Sequence, residues 1–375
     1  MKYFAIFILI VLSFSVFRVS AESGYEPDFN VADFDDHDFG QADIVDALPE
    51  DVRDFMEGID PMELTFGGVM AEIWETLKRE ITAPLKLFIS LVGVVMLCAA
   101  AETLRDSSGG SNSAAMQAFQ MVGVLAGAGI MSAAIAETVV RTSQTLTATG
   151  AFMLTFIPIL AGIMAVTGQL ISANLFNSSV VIAAQVFSQV MVMALMPLSA
   201  SILGISIAGA VSPDLKTEQI ANTVKTVVIW VLGFLAVIFT GLLGIQSLVS
   251  GNADSVAMKA VRFTVSGGVP FIGGAVSDAL GVVNGSVNVL KSTTGAFGIV
   301  AIAAVCLPTL LSVIGFRIAV SLAASVSALF GADRLSSLLK SGENVLSIIL
   351  AMVVCFALIM LVSVALMIRI GGGGI

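Results

Sequence analysis

The chain has 375 residues, of which 57% are hydrophobic and only 12% charged, against about 25% charged in an ordinary soluble domain. With a mean hydropathy of +1.01 and repeated apolar runs long enough to cross a hydrocarbon core of about 30 Å, this composition excludes a soluble globular domain. It also excludes a β-barrel, because short alternating strands are missing.

The net charge of −10 is local: fourteen of the 27 acidic residues fall between Glu22 and Asp60, where Arg53 is the sole Lys or Arg. So acidic a segment repels nucleic acid and anionic lipid, and no nucleic-acid partner is expected.

Residues 1–21 read as a signal peptide, with Lys2, an apolar core Tyr3–Phe17 and a small-residue cleavage site Val19-Ser20-Ala21. Arg18 beside that site leaves an uncleaved anchor open; in either case Glu22 onward is expected outside the cell. Residues 22–84 form an exported acidic region. Its only histidine, His37, lies among Asp35, Asp36 and Asp38, which reads as a solvated acidic run rather than a metal site.

An amphipathic helix is predicted over 69–82. Met70, Ile73, Trp74, Leu77 and Ile81 fall on one face, with Glu72, Glu75, Lys78, Arg79 and Glu80 mostly around the rest. The apolar face suits a membrane interface or a protein partner.

Two transmembrane helices are expected within 85–137, at Leu85–Ala101 and Ala114–Ala136. Further apolar runs follow at Gly150–Thr167, Ser178–Val211, Val224–Val249, 263–284, Gly295–Phe330 and Val345–Ile368. The expected fold is therefore all-α, a polytopic helical membrane bundle.

Residues 197–208, PLSASILGISIA, share the frame P-x3-S-x2-G-x2-I-A with residues 308–319, PTLLSVIGFRIA. Upstream, PILAG (158–162) matches PFIGG (270–274). These matches suggest an internal repeat with Gly/Pro-broken helices, the first unit at 150–250 and the second at 262–370. Each unit would hold a broken helix, a long helix kinked at Pro197 or Pro308, and a straight helix after a polar loop. Three crossings per unit would invert the halves, as in many transporters. The Lys and Arg residues split evenly between the two sides and do not choose.

The stretch SGGVPFIGGAVSDAL, 266–280, combines helix breakers with a carboxylate in an apolar context. Irregular backbone at membrane depth is tolerated only against protein or a wet cavity. Asp278 is thus a candidate pore or partner contact, together with Arg317, Lys259, Arg262, Pro270, Gly273, Gly274, Pro197 and Pro308. A pairing of Asp278 with Arg317 would satisfy both charges; a position at the membrane edge is the other reading of Asp278.

No nucleophile–base pair is legible, and HExxH, P-loop and CxxC patterns are absent. An enzyme is not expected, nor a cofactor. Cys98, Cys306 and Cys355 sit in apolar runs and read as small buried hydrophobes.

A G-x-Q-S turn follows a span, then come Asp254, Lys259 and Arg262, a Pro-Gly-Gly-Ser-Asp segment, and Lys291 before a Gly-rich helix start. In these features residues 241–298 resemble the stage III sporulation protein AE family. In layout the likeness extends over 85–370. It implies a place in the mother-cell membrane around the forespore, within the feeding-tube or channel complex of the stage III sporulation operon. The partners it implies are the other membrane proteins of that operon, a secretion-type ATPase indirectly, and stage II sporulation protein Q on the spore side. Read from the residues alone, a stand-alone secondary transporter with inverted repeats and a non-conducting scaffold remain open beside a channel subunit.

Overall fold

The computed structural model describes residues 74–107, 113–211, 217–268 and 273–369, with the side chains of 101–120, 194–196, 209–218, 220–221 and 261–284 outside the described part. Every regular element among the described residues is helical: α1 Thr82–Ser107, α2 Ser113–Val166, α3 Leu170–Gln189, α4 Met196–Val211, α5 Thr217–Gly268, α6 Gly273–Leu329 and α7 Asp333–Arg369. Among the described residues six helical stretches are long and apolar enough to cross a membrane. The fold is all-α, a polytopic helical membrane bundle.

Residues 74–80 are also helical and lead into α1. The Ile81 amide still bonds to the Leu77 carbonyl, so only a local break separates the two. Pro84, which has no N–H to give the carbonyl four residues back, accounts for that break.

The expected gap between Ala136 and Gly150 is not there. Instead α2 runs unbroken for 54 residues, with Pro158 inside it, about 81 Å at 1.5 Å per residue. The sequence Glu137–Thr149 looks like a polar loop, yet three of its five threonines, Thr138, Thr147 and Thr149, satisfy themselves within the helix. Thr138 Oγ1 donates to the Ala134 carbonyl at 2.7 Å and Thr149 Oγ1 to the Thr145 carbonyl at 2.8 Å.

Two tight turns follow one rule. After α2, Gly168 takes φ +80°, its amide bonds to the Ala165 carbonyl, and the Gln169 amide to the Met164 carbonyl. After α6, Gly331 takes φ +75°, its amide bonds to Ala328 and the Ala332 amide to Ser327. Both are glycine-capped helix ends that satisfy the last carbonyls and reverse the chain. The stretch ADRLSSLLKSGE, expected as a loop, is therefore mostly the start of α7, where Asp333 suits the positive end of the helix.

The two prolines of the suspected repeat sit in different surroundings. Ahead of Pro197 the backbone widens into a π turn, Val190–Leu195, which absorbs the missing N–H and the ring clash. Pro308 lies inside continuous α6. In the shared frame, Ser201 returns its hydroxyl to the Pro197 carbonyl, whereas Ser312 is buried. Gly204 faces open space; a Cβ on Gly315 would come 2.8 Å from Pro84 Cγ.

At the centre stands α7. It carries buried residues along its length from Leu335 to Met367, with Val354 and Leu358 exposed, and packs on α6, α5, α2 and α4. Lipid tails are as apolar as leucine, so close packing rather than hydrophobic burial holds such helices together. Gly298 shows the consequence: a methyl group there would meet the Phe156 ring, which is stacked on Phe152 at 5.2 Å. We expect Gly298→Ala to cost about 1–3 kcal/mol by overpacking. Thermal unfolding in detergent should show the loss, with Gly204→Ala, at an open position, as the silent control.

Along α2 the bundle has two tiers. In the first, α1 lies antiparallel to residues 113–141, with Glu80 against Arg141, Val94 near Gly127 and Cys98 against Gly123. In the second, α3 lies antiparallel to residues 148–166, with Ser188 near Gly150.

Candidate functional site

The polar side chains inside the bundle gather in two layers. The first is a waist where the two tiers meet. Arg141 on α2 holds Glu80 through two bonds, Nη1 to Oε2 and Nη2 to Oε1, both 2.6 Å. Such a fork-to-carboxylate pair is stronger than a single charged bond and fixes its geometry. Nη1 also reaches Ser312 Oγ on α6 at 3.3 Å. One turn along, the Thr145 and Thr309 hydroxyls share a 2.7 Å bond, and Thr149 lies 3.7 Å from Cys306 Sγ.

On the other side of the waist, Arg317 Nε is 3.7 Å from Glu343 Oε1 on α7, and Lys225 Nζ donates to Asn344 Oδ1 at 3.0 Å. The Thr142 hydroxyl is buried with no partner among the described residues.

The second layer surrounds the start of α3. Both carboxylate oxygens of Asp254 accept backbone amides there, from Ile171 and Ser172, each at 3.0 Å. A carboxylate at that position satisfies orphan donors and opposes the helix dipole. Beside it, Lys291 Nζ donates to Gln169 Oε1 at 3.0 Å. Lys291 is 2% exposed and Asp254 5%. Two turns earlier on α5, Gln246 Nε2 donates to Ser179 Oγ at 2.8 Å. Among the described residues, the Ser172 hydroxyl, Asn177 Oδ1 and Gln246 Oε1 are buried without partners.

The residues singled out in the sequence fall as follows. Arg317 is paired, with Glu343 rather than Asp278. Asp278 and Arg317 share the continuous helix α6, and 39 positions along a helix separate them by about 58 Å, so they cannot meet within one chain. Lys259 is exposed, one turn beyond Asp254, and Pro197 is exposed as well. Pro308 is half-buried at the waist, next to Thr309.

In the 263–284 segment α5 runs to Gly268 and α6 from Gly273, with 269–272 outside the described residues. Pro270 lies outside the described residues. Arg262 on α5 and Gly273, Gly274 and Asp278 on α6 are placed by backbone alone.

In the described part of the 69–82 segment, Trp74 and Ile81 are exposed and Lys78 lies over the Trp74 ring, while Glu80 turns inward to Arg141; Met70 and Ile73 lie outside the described residues. Sequence reasoning did not single out Glu80 and Arg141, because their pairing joins two helices and leaves no spacing signal along either. Asp254, Lys291 and Gln246 were legible only within the resemblance-bearing stretch. There the G-x-Q-S segment, taken for a turn, is interior to α5.

That same stretch supplies three of the second layer's side chains, and a comparison with protein families gives it a name. The model of the stage III sporulation protein AE family matches residues 50–371. The chain belongs to the stage III sporulation protein AE family.

A relative named stage III sporulation protein AE, from Bacillus subtilis (strain 168), is 24% identical over 183 residues, covering 49% of this chain and 45% of the relative. The alignment thus spans less than half of that protein's length. No solved structure matches. As a stage III sporulation protein AE family member with six apolar membrane-length helices, the chain is a multi-pass membrane protein with a role in sporulation.

Proposed function

We propose that this protein is a membrane subunit of the sporulation channel, a feeding-tube or secretion-like complex between mother cell and forespore, needed for forespore development. The family match over residues 50–371 carries the reading. In this proposal the bundle sits in the mother-cell membrane around the forespore with residues 22–84 exported. Its partners are the other membrane proteins of the stage III sporulation operon, with the secretion-type ATPase acting through them and stage II sporulation protein Q facing it from the spore side.

The role is non-catalytic. The polar layers join helices through hydrogen bonds and ion pairs, and the one histidine, His37, lies far along the chain from both. A second reading, a scaffold that conducts nothing, is favoured by the filled interior, where Phe152, Phe156, Phe176 and Phe356 are fully buried.

Deleting the gene in its own host tests the sporulation role. Heat-resistant spores should fall by orders of magnitude, and a plasmid copy should restore them. Affinity-tagged protein from sporulating membranes should bring down the operon's other membrane proteins. Normal spore counts after deletion would sink the sporulation role, and a solitary protein in the pull-down would sink the complex.

A further inference from the structure

Both tiers carry lipid-type surfaces. In the second tier Ile182, Phe234, Val237, Ile245 and Leu248 are exposed, and no charge interrupts 142–166, 226–253, 292–316 or 344–368. Each of these runs has about 25 residues or more, about 37 Å or longer and sufficient for a bilayer core. In the first tier Leu85, Ile89, Met96 and Leu97 on α1 and Val122 and Leu125 on α2 are exposed, with no charge in 87–101 or 113–136.

The start of the first tier carries an interfacial signature. Trp74 is exposed with Lys78 above its ring at 5.8 Å, the pairing found where a helix leaves the hydrocarbon for the headgroups. Yet α2 is one helix of 54 residues, and its length of about 81 Å cannot keep both belts in one bilayer of about 30 Å.

At the waist three of the connecting segments carry bend-prone features at one level, while α7, which also runs through both tiers, has neither proline nor π turn. On α2 it holds Thr142, Thr145, Thr147 and Thr149, of which Thr147 and Thr149 bond back onto carbonyls four residues earlier, a habit that bends helices. Between α3 and α4 it holds the π turn Val190–Leu195 and Pro197, placed there by the approach of Ser188 to Gly150. On α6 it holds Pro308, beside the Thr145–Thr309 bond. Prolines and π turns are where helices kink.

The bonds divide accordingly. The strong Glu80–Arg141 fork lies within the α1–α2 hairpin and travels with it. Across to α6 the hairpin is tied by the neutral Thr145–Thr309 bond and the 3.3 Å Arg141–Ser312 bond.

We propose that the α1–α2 hairpin, Trp74 to Arg141, inserts its outward face into the same bilayer as the second tier, and that the waist bends to allow it. The occupant of the Leu85–Ile89–Met96–Leu97 face is lipid. Folding back gives up the hairpin's close packing on α6 and α7, and in exchange moves the exposed Leu85, Ile89, Met96 and Leu97 from water into lipid tails. The waist then lies at one membrane surface, with Arg141, Glu80 and the threonines among the headgroups.

Spin labels at Ile89 and Ile182, introduced as I89C and I182C in the full chain without its native cysteines, test this in lipid nanodiscs. The register along α2 puts the two positions about 24 residues apart, at least about 36 Å in the straight form. The proposal expects both labels to be relaxed by oxygen rather than by a water-soluble nickel chelate. It also expects a distance population well under that value, which a disulfide between T145C and T309C removes. A second pair, M96C and L248C, keeps the test open if the first does not fold. A single long distance, with the Ile89 label open to nickel or shielded from both reagents by protein, would overturn it.

Discussion

Replacing Glu80 by Gln is expected to destabilise the bundle by about 2–3 kcal/mol. The pair it breaks is largely enclosed: the Glu80 side chain is 11% exposed and that of Arg141 39%. Removing one partner of a buried pair leaves the other charge uncompensated, which costs about 3–5 kcal/mol when burial is complete; the half-open arginine places this case at or below the lower end. Arg141→Gln should cost at least as much, because it strands the more buried group. Glu80→Met with Arg141→Met should cost less than the two single changes together, since no charge is then left alone. Unfolding in detergent measures all three variants against the unaltered protein, and spore counts report the consequence in the cell. Single-variant losses below about 0.5 kcal/mol would mean that the pair is a surface contact worth no more than an ordinary exposed one.

Asp254→Ala is expected to cost a similar amount, about 2–4 kcal/mol, for a different reason. Its carboxylate satisfies the amides of Ile171 and Ser172. Each buried donor left without a partner costs about 1–3 kcal/mol. Asp254→Asn retains one acceptor oxygen and should lose about half as much. Hydrogen exchange should localise the damage to the first turn of α3, next to the Gly168 reversal. Lys259→Ala, one turn further along the same helix at an exposed site, should leave that turn protected. Equal exchange in Asp254→Ala and in the unaltered protein would show that water, not Asp254, satisfies the two amides.

Pattern alone mispredicts certain segments for a definite reason. Glu137–Thr149 has the composition of a loop, because composition records polarity but not where the partners are. Within the bundle the Thr138, Thr147 and Thr149 hydroxyls return to their own backbone, that of Thr145 meets Thr309, and its arginine meets Glu80 and Ser312. The stretch 332–343 misleads in the same way: its charges cluster like a loop, yet a glycine-capped reversal at Gly331 lets the helix start at once. In the amphipathic 69–82 prediction the apolar stripe was real, but in a membrane protein an apolar face is as much at home against lipid as inside. Hydrophobicity therefore loses its power to say which face is buried.

The sequence by itself determined that this is an all-helical membrane protein of many apolar segments, and the 241–298 stretch carried its family. Both rest on local quantities, the length of charge-free runs and the order of residues in a motif. Only the tertiary structure decided that Arg141 belongs to Glu80, that Arg317 belongs to Glu343 and not Asp278, and that Asp254 caps α3 beside Lys291 and Gln169. Each of these pairings joins different helices. A charge in an apolar bundle accepts whichever partner the packing brings within about 4 Å, and nothing in the spacing along one helix specifies which face of another will arrive there.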